Sequence, residues 1–444
     1  MMLAGALMWL MTFTNVVFAK DKLTTSAEEQ QASMTLIRNV NIFDGKSKTL
    51  IKGKEVVIKG DKIYALIDPG SDDSAYNTVI DGKNGFLTPG LIDAHYHAFI
   101  GPAFEEVMNL PFMVSHYSAA MEMKDYLFRG VTTVREMAGP GRGLQIAIDK
   151  GYIPGPRVYP SGAMITQNSG HMDFRNPNHL TKEMGGAAPL IELMGTGVLA
   201  NGTDEVRKAA RQQLSLGSTQ IKLAVTGSVT GTKDPIDVAE YTVDEIRAAV
   251  EAAEDFGTYV AVHAYNNTGI RRALEAGVKS IEHGNLIDEP TMKLLVEKGA
   301  FFIPQVWSDE IYLKQGLQKA KVVSEGTDKA MKLAIKHGAK VVFGSDLMFD
   351  LKNRTTVMQE FVARKKWFSS PEIMIQATGN AGELVGLSGQ RNPYGKLGVI
   401  ESGAVADILI YSSDPLEDVA ILAKPEQYLK LIMKDGKLVS NQIQ

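Results

Sequence analysis

Six residues with ligand or proton-transfer chemistry stand at the ends of short apolar segments of the sequence. They are found in DAHYH, IKLAV, VHAY, IEHG and FGSD: His95, His97, Lys222, His263, His283 and Asp346. The chain has no cysteine, so a metal ion here must rest on nitrogen and oxygen ligands. These residue types together indicate a divalent-metal site that contains a group able to move a proton.

The first two histidines are spaced as a pair of ligands to one metal ion. His95 and His97 are two residues apart, so on a β-strand both side chains project from the same face. A His-X-His pair is weak evidence when it stands alone. The other two histidines, the lysine and the aspartate, each at the end of its own apolar segment, turn the pair into a prediction of a metal site.

Lys222 needs a separate account, because a lysine that points into a protein interior is costly to bury in its charged form. One interpretation pairs it with a neighbouring carboxylate or lets its amine reach solvent. The other keeps the amine neutral, so that it takes up carbon dioxide to form a carbamate. The two carbamate oxygens can bridge two metal ions, and two divalent ions about 3.5–4 Å apart activate one water.

The candidate residues lie near the carboxyl ends of segments that the sequence predicts as buried strands. The segments are GLIDAHYH, TTVREM, RVYPSGAM, TQIKLAVT, YVAVHAY, SIEHG, FFIPQV and KVVFGSD. Amphipathic segments such as VDEIRAAVEAAEDFG lie between them. This alternation predicts an α/β fold, a (β/α)8 TIM-like barrel, whose active site lies at the carboxyl ends of the strands. No Gly-rich dinucleotide fingerprint follows the first strand, which disfavours a doubly wound nucleotide-binding fold.

Short β-like segments flank the predicted barrel at both ends of the chain. Residues 34–86 begin with MTLIRNVNIFD, and residues 392–444 contain GAVADILI and LIMKDGKLV. Neither part has enough strands to be stable alone. We therefore predict one small β-sandwich domain, discontinuous in sequence, around a barrel of residues 87–391.

The composition and the first residues narrow the setting in which the protein works. A net charge of -4 gives no electrostatic case for binding nucleic acid or anionic membranes. Residues 1–19 are apolar and end in Val-Phe-Ala, which predicts a signal peptide followed by a polar leader of residues 20–33. A short membrane anchor is the alternative. Cleavage implies a periplasmic or secreted protein without stable membrane association.

The full set of His-X-His, lysine, two further histidines and aspartate resembles the amidohydrolase superfamily. With the TPGLIDAHYH and GVIESGAVADILI segments, it is most similar to the branch of zinc-dependent Xaa-Pro dipeptidases (prolidases), carboxypeptidases and ochratoxin-hydrolysing amidohydrolases. The resemblance covers nearly everything after the leader. It implies two divalent metal ions, with zinc expected and cobalt, manganese or iron as alternatives.

The resemblance also implies a role for each residue of the set. The metal ligands would be His95, His97 and Asp346 at the more buried ion, His263 and His283 at the more exposed ion, and N6-carboxylated Lys222 between the two. Asp346 would also be catalytic, as the general base that takes a proton from the attacking water and passes it to the departing amine.

Two more residues are similar to substrate-contacting positions of this branch. His171, in NSGHMD, resembles a catalytic histidine that binds substrate near the scissile carbonyl, with an ordinary surface histidine as the alternative. Tyr265, on the same strand face as His263, resembles a tyrosine that binds the substrate carboxylate, with a core aromatic as the alternative. Related sequences often carry Gly-Gly-His-Gly-Asp around the loop histidine, and here Ser169 and Met172 take two of those positions.

The resemblance implies cleavage of an amide or peptide bond next to a carboxylate-bearing residue. The substrate would be an N-acyl amino acid, an aryl amide such as ochratoxin A, or a dipeptide or C-terminal residue of a short peptide. The alternatives are an Xaa-Pro dipeptidase proper and a cyclic amide hydrolase of the imidazolonepropionase type, whose members usually lack the lysine. A non-catalytic scaffold would need none of the six ligands. Relatives commonly form symmetric assemblies, so we expect a homo-oligomer.

Overall fold

The computed structural model describes residues 33–100, 109–176, 178–181, 184–231, 233–346, 348 and 355–443. The predicted signal peptide and all of the predicted leader except its last residue lie outside these ranges. Within these ranges, no helix combines the length and the apolar character that crossing a membrane requires.

The described strands fall into a terminal sheet and a barrel. In chain order they are β1 (Met34–Ile42), β2 (Glu55–Lys59), β3 (Lys62–Ile67), β4 (Thr78–Pro89), β5 (Leu91–Tyr96), β6 (Val131–Glu136), β7 (Arg157–Pro160), β8 (Met164–Thr166), β9 (Gly197–Leu199), β10 (Ile221–Ala224), β11 (Val260–Ala264), β12 (Ser280–His283), β13 (Phe301–Ile303), β14 (Lys340–Val341), β15 (Ile408–Tyr411), β16 (Leu429–Lys434) and β17 (Lys437–Asn441).

Two parallel sheets together form the barrel. One has the order β5-β6-β7 and the other the order β14-β13-β12-β11-β10-β8-β9, with β7 and β8 as two halves of barrel strand three. The Thr219 N–H donates to the Pro160 carbonyl (2.8 Å), which joins β7 to the start of β10. The Ala94 N–H donates to the Phe343 carbonyl (3.0 Å), which joins barrel strand eight to strand one. The barrel is therefore closed, and the predicted (β/α)8 fold is confirmed.

Helices follow the barrel strands, as the amphipathic segments predict. They are α1 (Met113–Phe128), α2 (Gly141–Asp149), α3 (Leu190–Leu193), α4 (Gly202–Ser215), α5 (Val243–Asp255), α6 (Asn267–Ala276), α7 (Glu289–Glu297), α8 (Trp307–Lys314), α9 (Gln318–His337), α10 (Gln359–Arg364), α11 (Ser370–Gln376), α12 (Gly379–Gly386) and α13 (Pro425–Tyr428). Helix α5 begins with a capping box, in which Thr242 and Glu245 satisfy each other's backbone N–H groups. Its buried face consists of small and apolar residues: Ile246, Ala249, Val250 and Ala253.

The two ends of the chain meet in one mixed sheet. Its order is β17-β16-β15-β4-β1-β2-β3, in which only β1 and β4 pair in parallel. An isolated bridge between Lys62 and Val405 brings the edge strand β3 against the C-terminal part. The sheet encloses an apolar core of its own, which includes Ile37, Ile58, Leu87, Ile408 and Leu431. This arrangement agrees with a β domain built from both termini, and β4 continues to Pro89, past the predicted boundary at residue 86.

A buried cluster of charged residues joins this sheet to the barrel. The Arg157 side chain on β7 is 1% exposed, and its two terminal nitrogens bond both carboxylate oxygens of Asp407, one at 2.8 Å. Asp407 also accepts the Asp435 N–H (3.0 Å), and the Asp435 carboxylate contacts the same guanidinium. The amino-terminal end of barrel strand three is thus held to β15 and to the turn after β16.

We expect Asp407→Ala to lower the free energy of unfolding by about 3–5 kcal/mol, because it leaves a buried guanidinium without most of its compensating charge. Chemical denaturation of the purified protein measures the change. Asp68→Ala is the control, since the Asp68 side chain is 84% exposed in its pair with Lys54 and should change stability by about 0.5 kcal/mol or less. Equal stability of the two variants would contradict a structural role for the Arg157 cluster.

Candidate metal centre at the barrel mouth

The two histidines of barrel strand one meet the aspartate that follows strand eight. His95 and His97 are both buried, and their Nε2 atoms lie 3.2 Å apart. Asp346 Oδ1 lies 3.4 Å from the first of these nitrogens and 3.2 Å from the second. One ligand atom from each of the three residues falls within 4.8 Å of the others. Such a buried group of two imidazoles and one carboxylate could hold a divalent metal ion.

A buried carboxylate on barrel strand six orients His95. Glu282 Oε2 accepts the His95 Nδ1–H (2.8 Å), so the lone pair of His95 Nε2 faces His97 and Asp346. Glu282 Oε1 in turn accepts from Arg135 Nη2 (2.7 Å) and from the Ser280 hydroxyl (2.5 Å). The strand-two arginine therefore forms a structural ion pair inside the barrel and is not a substrate contact.

Asp93 holds the beginning and the end of the barrel together at the site. Its carboxylate accepts the backbone N–H groups of His95 and Ser345, both at 3.0 Å. It also accepts the hydroxyls of Ser345 (2.5 Å) and Tyr126 (2.6 Å). The Asp346 N–H then donates to the His95 carbonyl (2.8 Å). These bonds fix the backbone on which two of the predicted ligands stand.

Four more predicted site residues place their aromatic rings in a row beside this group. The His263 and His283 ring centroids lie 4.4 Å apart. His171 stacks on His263 at 4.2 Å, and Tyr265 stacks on His283 at 4.8 Å. His283 Nδ1 lies 3.9 Å from Asp346 Oδ2, which connects the row to the first group. Barrel strands five and six and the loop after strand three thus bring all four rings to the mouth.

Lys222 is fully buried at this site, and within the described residues its Nζ has no hydrogen-bond partner. Burial lowers the pKa of its amine to about 8. Burial, and next the Lys222 charge, also lower the pKa of His95 well below its usual range, so the ring is neutral and able to bind a metal ion. An unpaired buried amine that loses its proton easily fits a carboxylated lysine.

The loop that carries His171 is held by two buried acids. Glu240 accepts the His171 N–H (2.9 Å), and the His171 Nδ1 lies 3.7 Å from Asp234 Oδ2. Lys319 of α9 donates to the Asp234 carbonyl (2.7 Å), which links the loop to the far side of the mouth. Ser169 has a φ of 61°, so it adopts the left-handed backbone that favours the glycine of related sequences.

The eight residues that the sequence predicts for this site all lie at one end of the barrel. The sequence does not predict Glu282, Glu240 and Asp234, which contact some of these residues and orient them. Burial alone would not have found them, because acidic residues are usually exposed. The sequence gives one weak signal for Glu282: it directly precedes His283 on a short, buried strand.

The buried amine of Lys222 gives the metal-free protein a pH-dependent stability. Between about pH 8 and 10.5 the unfolded chain still binds the lysine proton and the folded chain does not, so stability rises with pH. Below this window both states are protonated and the full cost of burial is present. We expect the stability difference between Lys222→Met and the unmutated protein to shrink by roughly 3 kcal/mol across the window. Urea denaturation in chelator, with carbon dioxide removed, measures it, and parallel pH curves would contradict it.

The fold is a closed parallel barrel, and buried histidines, a lysine and an aspartate lie at its mouth. These features place the protein in the class of barrel enzymes with a candidate metal site. The chain belongs to the amidohydrolase family, whose sequence profile matches residues 86–439. It is therefore an enzyme, a hydrolase that acts on C–N bonds.

Relatives of this chain share its fold over nearly their whole length. Ochratoxinase from Aspergillus niger is 29% identical over 93% of this chain and 88% of its own, and its crystal structure superposes with a TM-score of 0.81. A prolidase crystallised with N-methylphosphonate-L-proline is 32% identical, with a TM-score of 0.85 over 92% of this chain and 100% of that chain. A Xaa-Pro dipeptidase with methionine in its active site is 28% identical, with a TM-score of 0.81 over 92% of this chain and 100% of that chain.

Proposed function

We propose that this protein is a binuclear metal-dependent amidohydrolase that cleaves an amide bond next to a carboxylate-bearing residue. The observation that carries the proposal is the unpartnered, fully buried Nζ of Lys222 among four histidines and an aspartate. A scaffold protein gains nothing from such an amine, whereas a carbamate bridge between two ions requires it. Substrates would be N-acyl amino acids, aryl amides such as ochratoxin A, or dipeptides and C-terminal residues.

The predicted ligand set would hold two divalent ions, and zinc would suit its imidazole and carboxylate ligands. One ion would be held by His95, His97 and Asp346, the other by His263 and His283, with carboxylated Lys222 between them. When bound, the ions would polarise the scissile carbonyl and lower the pKa of the attacking water.

The protein's own residues supply proton transfer and substrate orientation. Asp346 would accept the proton of the attacking water and return it to the departing amine. His171 faces the same space, stacked on His263 and with Asp234 beside its Nδ1, which suits a contact to the scissile carbonyl. Tyr265 would hold the carboxylate of the leaving residue from its place against His283.

The named relatives support this substrate chemistry. An ochratoxinase, a prolidase and a Xaa-Pro dipeptidase all appear among proteins of the same length and fold. The prolidase at 32% identity makes an Xaa-Pro dipeptidase proper the second candidate function. Ring opening of the imidazolonepropionase type is disfavoured, because Lys222 has no place in that chemistry.

Product analysis by mass spectrometry tests the proposal. The zinc-loaded protein with bicarbonate is incubated with Xaa-Pro dipeptides, dipeptides that end in Arg or Lys, N-acyl amino acids and ochratoxin A. We expect cleavage that a chelator abolishes, with release of a free amino acid. Binding of two metal ions without cleavage of any of these compounds would overturn the proposal.

We expect Tyr265→Phe to raise KM by about tenfold or more with little change in kcat, because a hydrogen bond to a charged group contributes about 1.5–3 kcal/mol to binding. Steady-state kinetics on the best substrate of the panel measures both constants. Tyr152→Phe is the control, since Tyr152 is 73% exposed. A fall in kcat at unchanged KM would contradict a role in carboxylate binding.

We also propose that residues 1–19 are removed on export to a periplasm or the medium, and that the mature chain is a homo-oligomer. The exposed apolar face of α1, with Met113, Tyr117 and Met121, supports association. Mass spectrometry of the exported protein and its sedimentation behaviour test the two statements.

A further inference from the structure

Buried polar side chains, most of which have at least one atom without a hydrogen-bond partner among the described residues, lie beside the metal centre, where barrel strand seven leads into α8. We call them the strand-seven cluster: Asn285, Gln305, Ser308, Asp309 and Tyr312. All five are at least nine-tenths buried. Within the described part of the chain, five atoms or groups have no hydrogen-bond partner: Asn285 Oδ1, both amide atoms of Gln305, the Ser308 hydroxyl and the Tyr312 hydroxyl. Such groups destabilise the folded protein if nothing binds them.

The cluster adjoins the candidate metal centre. Asn285 lies two residues after His283, and its Nδ2 donates to Asp309 Oδ2 at 2.9 Å. Tyr312 packs in one apolar cluster with Tyr265, the residue stacked on His283. On α8, Tyr312 follows Ser308 by four residues and Asp309 by three, so its side chain lies on the same face of the helix as both.

Gln305 is the member of the strand-seven cluster that follows β13. On β13, Phe301 and Ile303 pack in the barrel interior, whereas Phe302 packs outward against the helices. Gln305 lies two residues beyond the end of β13, toward the mouth, and its side chain is fully buried.

Asp309 is the carboxylic acid of the cluster, and it can ionise and act as a counter-charge when a cation binds beside it. Its carboxylate forms no ion pair within the described part of the chain, and the Asn285 amide is its hydrogen-bond donor. Burial, and next the charges of Asp346 and Glu360, raise the pKa of Asp309 well above its usual range.

We propose that the strand-seven cluster binds a primary ammonium group on the acyl side of the scissile amide, with Asp309 as its counter-charge. The inference rests on the proposed function and narrows its substrate class to dipeptides with a free amino terminus. An ammonium offers three donors and a positive charge, which match a buried carboxylic acid and the unpaired amide and hydroxyl oxygens of the same cluster. A substrate carboxylate would find no cation here, and a neutral N-acyl group would leave these oxygens without donors.

Matched substrates that differ only in this group test the inference. Alanyl-proline and alanyl-phenylalanine are compared with lactoyl-proline and lactoyl-phenylalanine, in which a hydroxyl replaces the ammonium. We expect the zinc-loaded protein to show kcat/KM about 10- to 100-fold higher for the alanyl compounds, from a hydrogen bond to a charged group. Asp309→Asn should remove this preference without affecting the lactoyl compounds. Glu310→Gln, which removes a neighbouring half-buried charge, should keep it.

Binding measured without turnover separates this inference from the proposed function. Uncleavable ketomethylene isosteres of the alanyl and lactoyl compounds are titrated calorimetrically into the zinc-loaded protein and both variants. Tighter binding of the ammonium form that Asp309→Asn abolishes supports the inference, even if no amide is cleaved and the proposed function fails. Equal binding of the two forms, or a preference that persists in Asp309→Asn, overturns it and indicates that ordered water fills the cluster.

Discussion

Replacing Lys222 with alanine is expected to release at least one metal ion and to abolish nearly all turnover. The lysine is fully buried at the site, and its amine bonds to no group among the described residues. If it is carboxylated, it would supply ligand oxygens to both ions. A metal ion contributes several kcal/mol of transition-state stabilisation, so its loss should lower kcat by about 10³-fold or more.

Metal content by plasma mass spectrometry and kcat on the best substrate measure this result. Lys298→Ala is the control, since Lys298 is exposed on the barrel surface. A short carboxylic acid such as acetate should partly restore metal binding in Lys222→Ala, because it supplies the missing bridging oxygens. Full activity with two bound ions in this variant would contradict the bridged two-metal proposal.

Strand periodicity in the sequence is sufficient to predict which residues of barrel strands four and five face inward. On β10 and β11, Lys222 and His263 alternate with Leu223 and Val262, which pack outward in the main apolar core. Tyr265 continues the inward face by the same rule. These strands are regular, so a period of two carries from the sequence to the site.

The same rule fails on barrel strand six, where Glu282 and His283 are neighbours and both reach the site. His283 has a φ of 67°, a left-handed conformation that turns its side chain back toward the mouth. Residues other than glycine rarely adopt it, and the sequence carries no signal for it. The bond from His95 to Glu282 spans 187 residues, so only the closed barrel brings the two together.

The sequence also does not predict the strand-seven cluster, because the cluster depends on tertiary packing. The segment WSDEIYLK has the pattern of an ordinary helix, in which an aspartate in the first turn is expected to be exposed. Asp309 is buried because the loop after barrel strand six packs over it through Asn285. Burial of this kind depends on how loops from different strands meet, and local patterns do not encode it.

The Asp346→Asn variant tests the proton-transfer role of Asp346 separately from its role as a metal ligand. Asparagine keeps one oxygen ligand and the size of the side chain, but it cannot accept the proton of the attacking water. Asparagine also tolerates the φ of 49° at this position, whereas alanine would add backbone strain. We therefore expect the variant to keep its fold and most of its metal while kcat falls by about 10²–10⁴-fold.

Zinc titration decides what the loss of Asp346 means. If this carboxylate is the general base, kcat of Asp346→Asn should stay low even at saturating zinc. If it is a ligand alone, saturating zinc should restore both the bound metal and kcat. An unchanged kcat would remove Asp346 from both roles. The proton would then have to pass through His171, the other predicted catalytic residue, whose Nδ1 lies 3.7 Å from Asp234.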